Sequence, residues 1–113
     1  MSPTKSFNSN RKYKIWMYTV SHSTLILRSE KQYFDVDYDV KYEEPNITID
    51  IIFTGVDFIS LPDNFTEINI DKKGNKFVFN NNDNWFVEAA DCTVGKYEGD
   101  DADQVWNGSL KIQ

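Results

Sequence analysis

The chain of 113 residues has one cysteine and one histidine. Cys92 alone cannot form an intramolecular disulfide, which fits a reducing compartment, and the chain is expected to be cytoplasmic. One histidine and one cysteine fall short of the four such ligands that a structural zinc site uses, so no metal is expected. Five scattered glycines match no phosphate-binding or dinucleotide-binding loop, and no cofactor is expected. Long apolar runs are missing as well. The most apolar stretch, 47–56, is interrupted by Thr48, Asp50, Thr54 and Gly55, far short of a membrane span. The first fourteen residues carry charge without the apolar run of a secretory signal. Sequons at Asn46, Asn64 and Asn107 therefore carry no weight.

Strong helix formers are scarce. Ala, Leu and Met make nine residues, whereas Val, Ile, Thr, Phe, Tyr and Trp make 42. The second group is stiff or bulky at Cβ and suits a pleated surface. Periodicity points the same way. Residues 33–42 alternate, with Phe34, Val36, Tyr38, Val40 and Tyr42 on one face and Asp35, Asp37, Asp39 and Lys41 on the other, as in a half-buried strand. Ile47, Ile49, Ile51 and Phe53 form a second alternating set. Residues 13–20 and 24–29 read as two strands joined near Ser21 and His22, with apolar residues on both faces and hence cover on both sides. A short strand is expected at 57–61, ended by the turn residues Leu61, Pro62, Asp63 and Asn64. Segments 65–71 and 76–80 flank Lys72-Lys73-Gly74-Asn75, a hairpin signal. Segment 80–84 reads as a polar tip, 85–90 as a strand, and 104–112 as a last strand interrupted at Asn107-Gly108.

This gives about nine or ten short strands with little or no helix. The expected fold is all-β: a single-domain antiparallel sandwich or closed barrel. Residues 1–11, polar and aperiodic, are expected to be a flexible N-terminal arm, with 12–113 as the domain.

The net charge of −6 argues against whole-surface binding to nucleic acid or anionic lipid. The charge is unevenly placed. Residues 1–29 contain no acid and carry +5, from Lys5, Arg11, Lys12, Lys14 and Arg28; the remainder carries −11. The basic strands are expected to pair beside the Asp35, Asp37 and Asp39 row, to meet an acidic partner, or to leave the acidic remainder for a basic one.

His22 between Ser21 and Ser23 is a candidate general base, with a serine or Cys92 as nucleophile. In a strand, adjacent side chains point to opposite faces, which weakens that pairing. Asp35, Asp37 and Asp39 begin like a calcium loop, but Val40 and Asn46 stand where that pattern needs Gly and Glu. Asp100, Asp101 and Asp103 read as a solvated acidic loop. No convincing catalytic constellation emerges, so an enzyme is not expected.

The leading expectation is a small, acidic, non-catalytic protein that engages a basic protein partner, with Asp35, Asp37 and Asp39 as the contact. An immunity-type inhibitor of a basic toxin is one instance. The alternative is a small-ligand β-barrel whose cavity is lined by Trp16, Trp85 and Trp106. An unsatisfied apolar face on residues 13–20 or 24–29 would equally serve a homodimer.

Overall fold

Alternating β-branched and aromatic residues need two apolar faces to bury against each other, and the chain supplies them as two packed antiparallel sheets. A computed structural model describes residues 6–33, 35–38, 42–98 and 108–112. These contain β1 (Ser6–Ser9), β2 (Tyr13–Thr19), β3 (Thr24–Ser29), β4 (Ile47–Thr54), β5 (Phe58–Ser60), β6 (Asn64–Phe65), β7 (Ile68–Lys73), β8 (Lys76–Phe79), β9 (Asn82–Glu88), β10 (Asp91–Glu98) and β11 (Gly108–Ile112). One 3₁₀ turn, Val20–His22, joins β2 to β3. One sheet has the order β1-β7-β8-β9-β5, the other β11-β10-β4-β3-β2-β6.

The architecture is a sandwich. Two sheets with separate edges do not close into the barrel kept as an alternative. Leu25, Leu27, Ile51, Phe53 and Val94 of the six-stranded sheet face Ile70, Phe77, Phe79 and Val87 of the five-stranded one, all fully or nearly fully buried. Asn80 and Asn81, both at φ 55, make the tight turn between β8 and β9. Asparagine tolerates this left-handed conformation, and two such residues form the turn whose twist matches a hairpin. Among the described residues no helix is long and apolar enough to cross a membrane.

Four expectations need correction. The alternating segment 33–42 is not a strand at any of its described residues. The Val36 N–H donates to Tyr33 O at 3.2 Å, closing a turn, and Val36 is 47% exposed. Alternation makes a strand only where an edge is open. β3 and β4 pair with each other, and their other edges are taken by β2 and β10. The segment between them becomes a connection, closed at its base by Gln32 N–H to Pro45 O at 2.6 Å.

The expected loose arm is ordered over part of its length. Ser6–Ser9 pair with β7 as β1, and Arg11 is buried. Segment 65–71 is not one strand either. Phe65 ends β6 in one sheet, Ile68 starts β7 in the other, and the chain crosses between sheets at Thr66 and Glu67. Finally, β2 is not covered on both sides. A register shift between Ile15 and Met17 marks a bulge, after which Met17 and Tyr18 are exposed. Residues 104–107 of the expected last strand lie outside the described residues, and β11 starts at Gly108.

Arg28 and Asp50 lie opposite each other in the β3–β4 register. By alternation they occupy the face turned away from Leu27 and Ile51. Arg28 Nε donates to Asp50 Oδ1 at 2.7 Å and Nη2 to Oδ2 at 2.9 Å, with side-chain exposures of 3% and 1%. The Trp16 ring lies 4.4 Å from the guanidinium carbon. Removing one partner leaves the other buried charge without its two-point ion pair. Asp50→Ala is therefore expected to lower the unfolding free energy by about 3–5 kcal/mol, whereas Arg28→Met/Asp50→Leu recovers most of that loss. Urea unfolding of the two variants and the parent checks both outcomes.

Candidate functional site

Asp35 and Asp37 sit in the β3–β4 connection, both exposed, and Asp39 lies outside the described residues. The connection also carries exposed Glu43 and Glu44. Glu44 Oε1 lies 3.7 Å from Lys96 Nζ. Among the described residues no basic side chain pairs with Asp35, Asp37 or Glu43. The basic strands do not neutralise Asp35 and Asp37, contrary to one expectation. Arg28 pairs with Asp50, and Lys14 Nζ with Glu30 Oε1 at 2.8 Å.

The tryptophans are not brought together. Trp16 lies on β2, 41% exposed, against Lys14 and Arg28. Trp85 on β9 packs its ring edgewise on Phe65, with centroids 5.6 Å apart, as part of the core boundary. Trp106 lies outside the described residues, as do Asp100, Asp101 and Asp103.

His22 is exposed in the 3₁₀ turn, and its Nδ1 lies 3.0 Å from Ser21 Oγ. The two neighbours meet because the local backbone is a turn, not the strand that would separate them. Among the described residues no carboxylate hydrogen-bonds the ring to orient it, as a triad needs. Cys92 is fully buried in the core, so it does not share a site with exposed His22. No three-residue cluster of His, Cys, Asp or Glu suited to a metal occurs among the described residues.

Two clefts flank Tyr42. The larger, about 710 Å³, lies at one end of the sandwich, where β1, β7 and the β8–β9 turn meet the base of the β3–β4 connection; Arg11, Tyr42, Asn69, Asn80 and Lys96 are among its lining residues. The other, about 520 Å³, is lined by Lys12, Lys31, Tyr33, Tyr38 and Tyr42 with the near end of β6. Trp16 and Trp85 line neither.

Arg11 is 5% exposed in the larger cleft. Its Nη2 donates to Ile47 O at 2.7 Å and Glu30 O at 3.3 Å, tying the start of β2 to both ends of the β3–β4 connection. The Tyr42 ring lies 4.2 Å from the guanidinium carbon. Burial lowers the Arg11 pKa, against the raising effects of Tyr13, Tyr42 and Glu44. Arg11 Nε and Nη1 and Asn69 Oδ1 are buried with no hydrogen-bond partner. Sequence reasoning missed both residues. Arg11 lies in the polar, aperiodic stretch 1–11, and Asn69 stands between Ile68 and Ile70 with no motif around it, so local pattern singles out neither.

No protein-family model, curated protein sequence or solved structure matches the chain.

Burial also fixes two protons. The Tyr13 phenol is pushed up to about 12, chiefly by burial and against its hydrogen bond to Ser9 Oγ; burial likewise pushes the Cys92 thiol up. Both groups bind a proton more tightly folded than unfolded. Their contribution to stability is complete below the unfolded pKa values and declines as pH rises above them, for Tyr13 between 10.0 and about 12. Unfolding free energy is therefore expected to fall through this alkaline window, and Tyr13→Phe to flatten the fall. Cys92 should resist a thiol reagent in the native protein at about pH 8 and react fully in denaturant. Denaturant titrations across the pH range and a timed thiol assay check these outcomes.

Proposed function

We propose that this protein is a non-catalytic, cytoplasmic binding module that engages a basic protein partner through the acidic β3–β4 connection. The observation that carries the reading is the exposure of Asp35, Asp37 and Glu43 with no cation paired to them among the described residues. Basic residues of the first 29 positions are meanwhile committed elsewhere, Arg28 to Asp50 and Lys14 to Glu30. Exposed, unpaired carboxylates on one connection create a local negative potential. Such a field steers a cationic surface and weakens with salt. An inhibitor of a basic toxin is an instance of this class.

The test is affinity capture from the source cells followed by carboxyl–amine cross-linking. The parent should retain a basic protein at low salt, with cross-links at Asp35, Asp37 or Glu43. Asp35→Lys/Asp37→Lys/Glu43→Lys should lose it, while the control Asp57→Lys/Asp83→Lys, reversing exposed acids elsewhere, keeps it. Retention of the same partner by both variants would remove the connection as the contact.

A second reading, compatible with the first, is self-association through β2. β6 pairs β2 only at Tyr13 and Lys14, and Ile15 N–H reaches Asp63 O; among the described residues the edge beyond is open. Trp16, Met17, Tyr18 and Val20 are exposed there, Val20 at 75%. Residues 15–21 carry no charge, unlike the protected edges of most sheets. A second copy is the partner that matches. Antiparallel β2–β2 pairing centred on Met17 sets Trp16 opposite Tyr18 on the part of the edge beyond β6 and brings no charges face to face. Sedimentation equilibrium at high micromolar concentration should show dimers of the parent and monomers of Met17→Lys. A monomeric parent removes this reading.

A further inference from the structure

We propose that the cleft at the end of the sandwich is a binding site for a neutral polyhydroxylated ligand of the saccharide class, held by Arg11 and Asn69. The cleft's volume, about 710 Å³, falls in the range of small-molecule sites. Its chemistry narrows the ligand. Arg11 offers two donors without acceptors, Nε and Nη1, and Asn69 offers an acceptor without a donor, Oδ1. Buried polar atoms left unpaired are costly, and each one in a native protein calls for a water or a ligand to complete it.

Charge selects among ligands. Glu43, Glu44 and Glu67 stand against Arg11 and Lys96 around the cleft. An anion without a proton, such as sulfate, would satisfy Arg11 but face three carboxylates and leave Asn69 Oδ1 without a donor. A simple cation would satisfy Asn69 Oδ1 and be repelled by Arg11. A hydroxyl group both donates and accepts, so neighbouring hydroxyls complete both orphans without adding charge. The exposed Asn8 amide and the Glu67 carboxylate extend the same donor and acceptor chemistry along the cleft.

Tyr42 is the gate of this site. Its ring covers the Arg11 guanidinium, whose Nε and Nη1 are buried. A ligand reaches them by displacing that ring, while the guanidinium stays anchored through Nη2 to Ile47 O and Glu30 O. Occupancy is therefore read at Arg11 and Tyr42 together.

The experiment is a nuclear magnetic resonance titration of the labelled full chain, following the Arg11 Nε–H, the Asn69 amide and the Tyr42 ring. The arms are glucose, N-acetylglucosamine, maltose, glutamate and sulfate. At least one of the three sugars is expected to move all three signals saturably at millimolar concentration. Asn69→Leu should weaken that binding tenfold or more, and the exposed variant Asn8→Ala severalfold, whereas Asp83→Asn leaves it unchanged. Asn8→Ala carries the test alone should Asn69→Leu fail to fold. Saturable shifts with glutamate or sulfate only, no saturable shift with any sugar, or binding unaffected by the cleft variants would each overturn the proposal. None of these outcomes bears on partner capture by the acidic connection, which is tested separately.

Discussion

The contact of Phe53 with Phe77 and Phe79 is where the two sheets become one core. Phe53 comes from β4, and the other two rings come from β8 in the opposite sheet, with centroids 5.4 Å and 5.9 Å away. Phe65 extends the contact from β6, stacking on Phe79 at 5.3 Å and meeting Trp85 edgewise. Such pairs contribute about 0.5–1.5 kcal/mol each beyond the area they bury. They also fix the sheet separation, and so the length of each crossing between sheets. β4 leaves its sheet at Gly55, and β9 leaves the other at Ala89 and Ala90. These crossings touch. Ala90 N–H donates to Thr54 O at 3.0 Å, and a Cβ on Gly55 would lie 2.8 Å from Ala90 Cβ. Gly55, at φ +63, is required for both its backbone conformation and this close approach.

Once the inner faces are filled, charge is arranged on what is left. Arg28 and Asp50 face away from the aromatic core yet are buried as a two-point ion pair. A buried pair of this kind is weak evidence for stability, because desolvation offsets much of the attraction. Its stronger effect is on pairing. A one-residue slip between β3 and β4 would turn one of the charges into the apolar layer, so the pair holds the register that sets Leu27 against Ile51. The same arrangement shapes the surface. Arg28 is buried together with Asp50 and leaves the surface balance unchanged, whereas buried Arg11 takes one positive charge off the surface.

Local pattern revealed the class of fold and most of the strands. β3, β4, β5 and the Gly74 hairpin match segments legible from alternation and turn residues, because each of these is decided within a few positions. What alternation cannot report is whether a strand has a partner. Segment 33–42 has the clearest alternation in the chain, yet none of its described residues lies in a strand, since β3 and β4 bond to each other around it. β1 has almost no pattern and is a strand, because the β7 edge accepts it. The candidate sites follow the same division. Asp35 and Asp37 are legible as exposed carboxylates on either backbone, whereas the cleft that Arg11 and Asn69 both line depends on β1, β7 and a connection far apart in sequence.

The asparagines at the open end of the sandwich have separate duties, and this divides scaffold from site. Asn80 Oδ1 accepts from Asn69 N–H at 2.7 Å and its Nδ2 donates to Glu67 O at 3.2 Å, while its own N–H donates to Asn69 O at 2.6 Å. Both ends of the Asn80 amide are therefore engaged in holding the β8–β9 turn against β7. Asn69 supplies backbone groups to that lock and leaves its side-chain oxygen out of it. The lock fixes where that oxygen stands, just as the bonds from Arg11 Nη2 to Glu30 O and Ile47 O fix the guanidinium. Two polar groups of the cleft lining, each held in place and each with atoms left without a partner, are pre-organised for a ligand. Less ordering entropy is then lost when one binds.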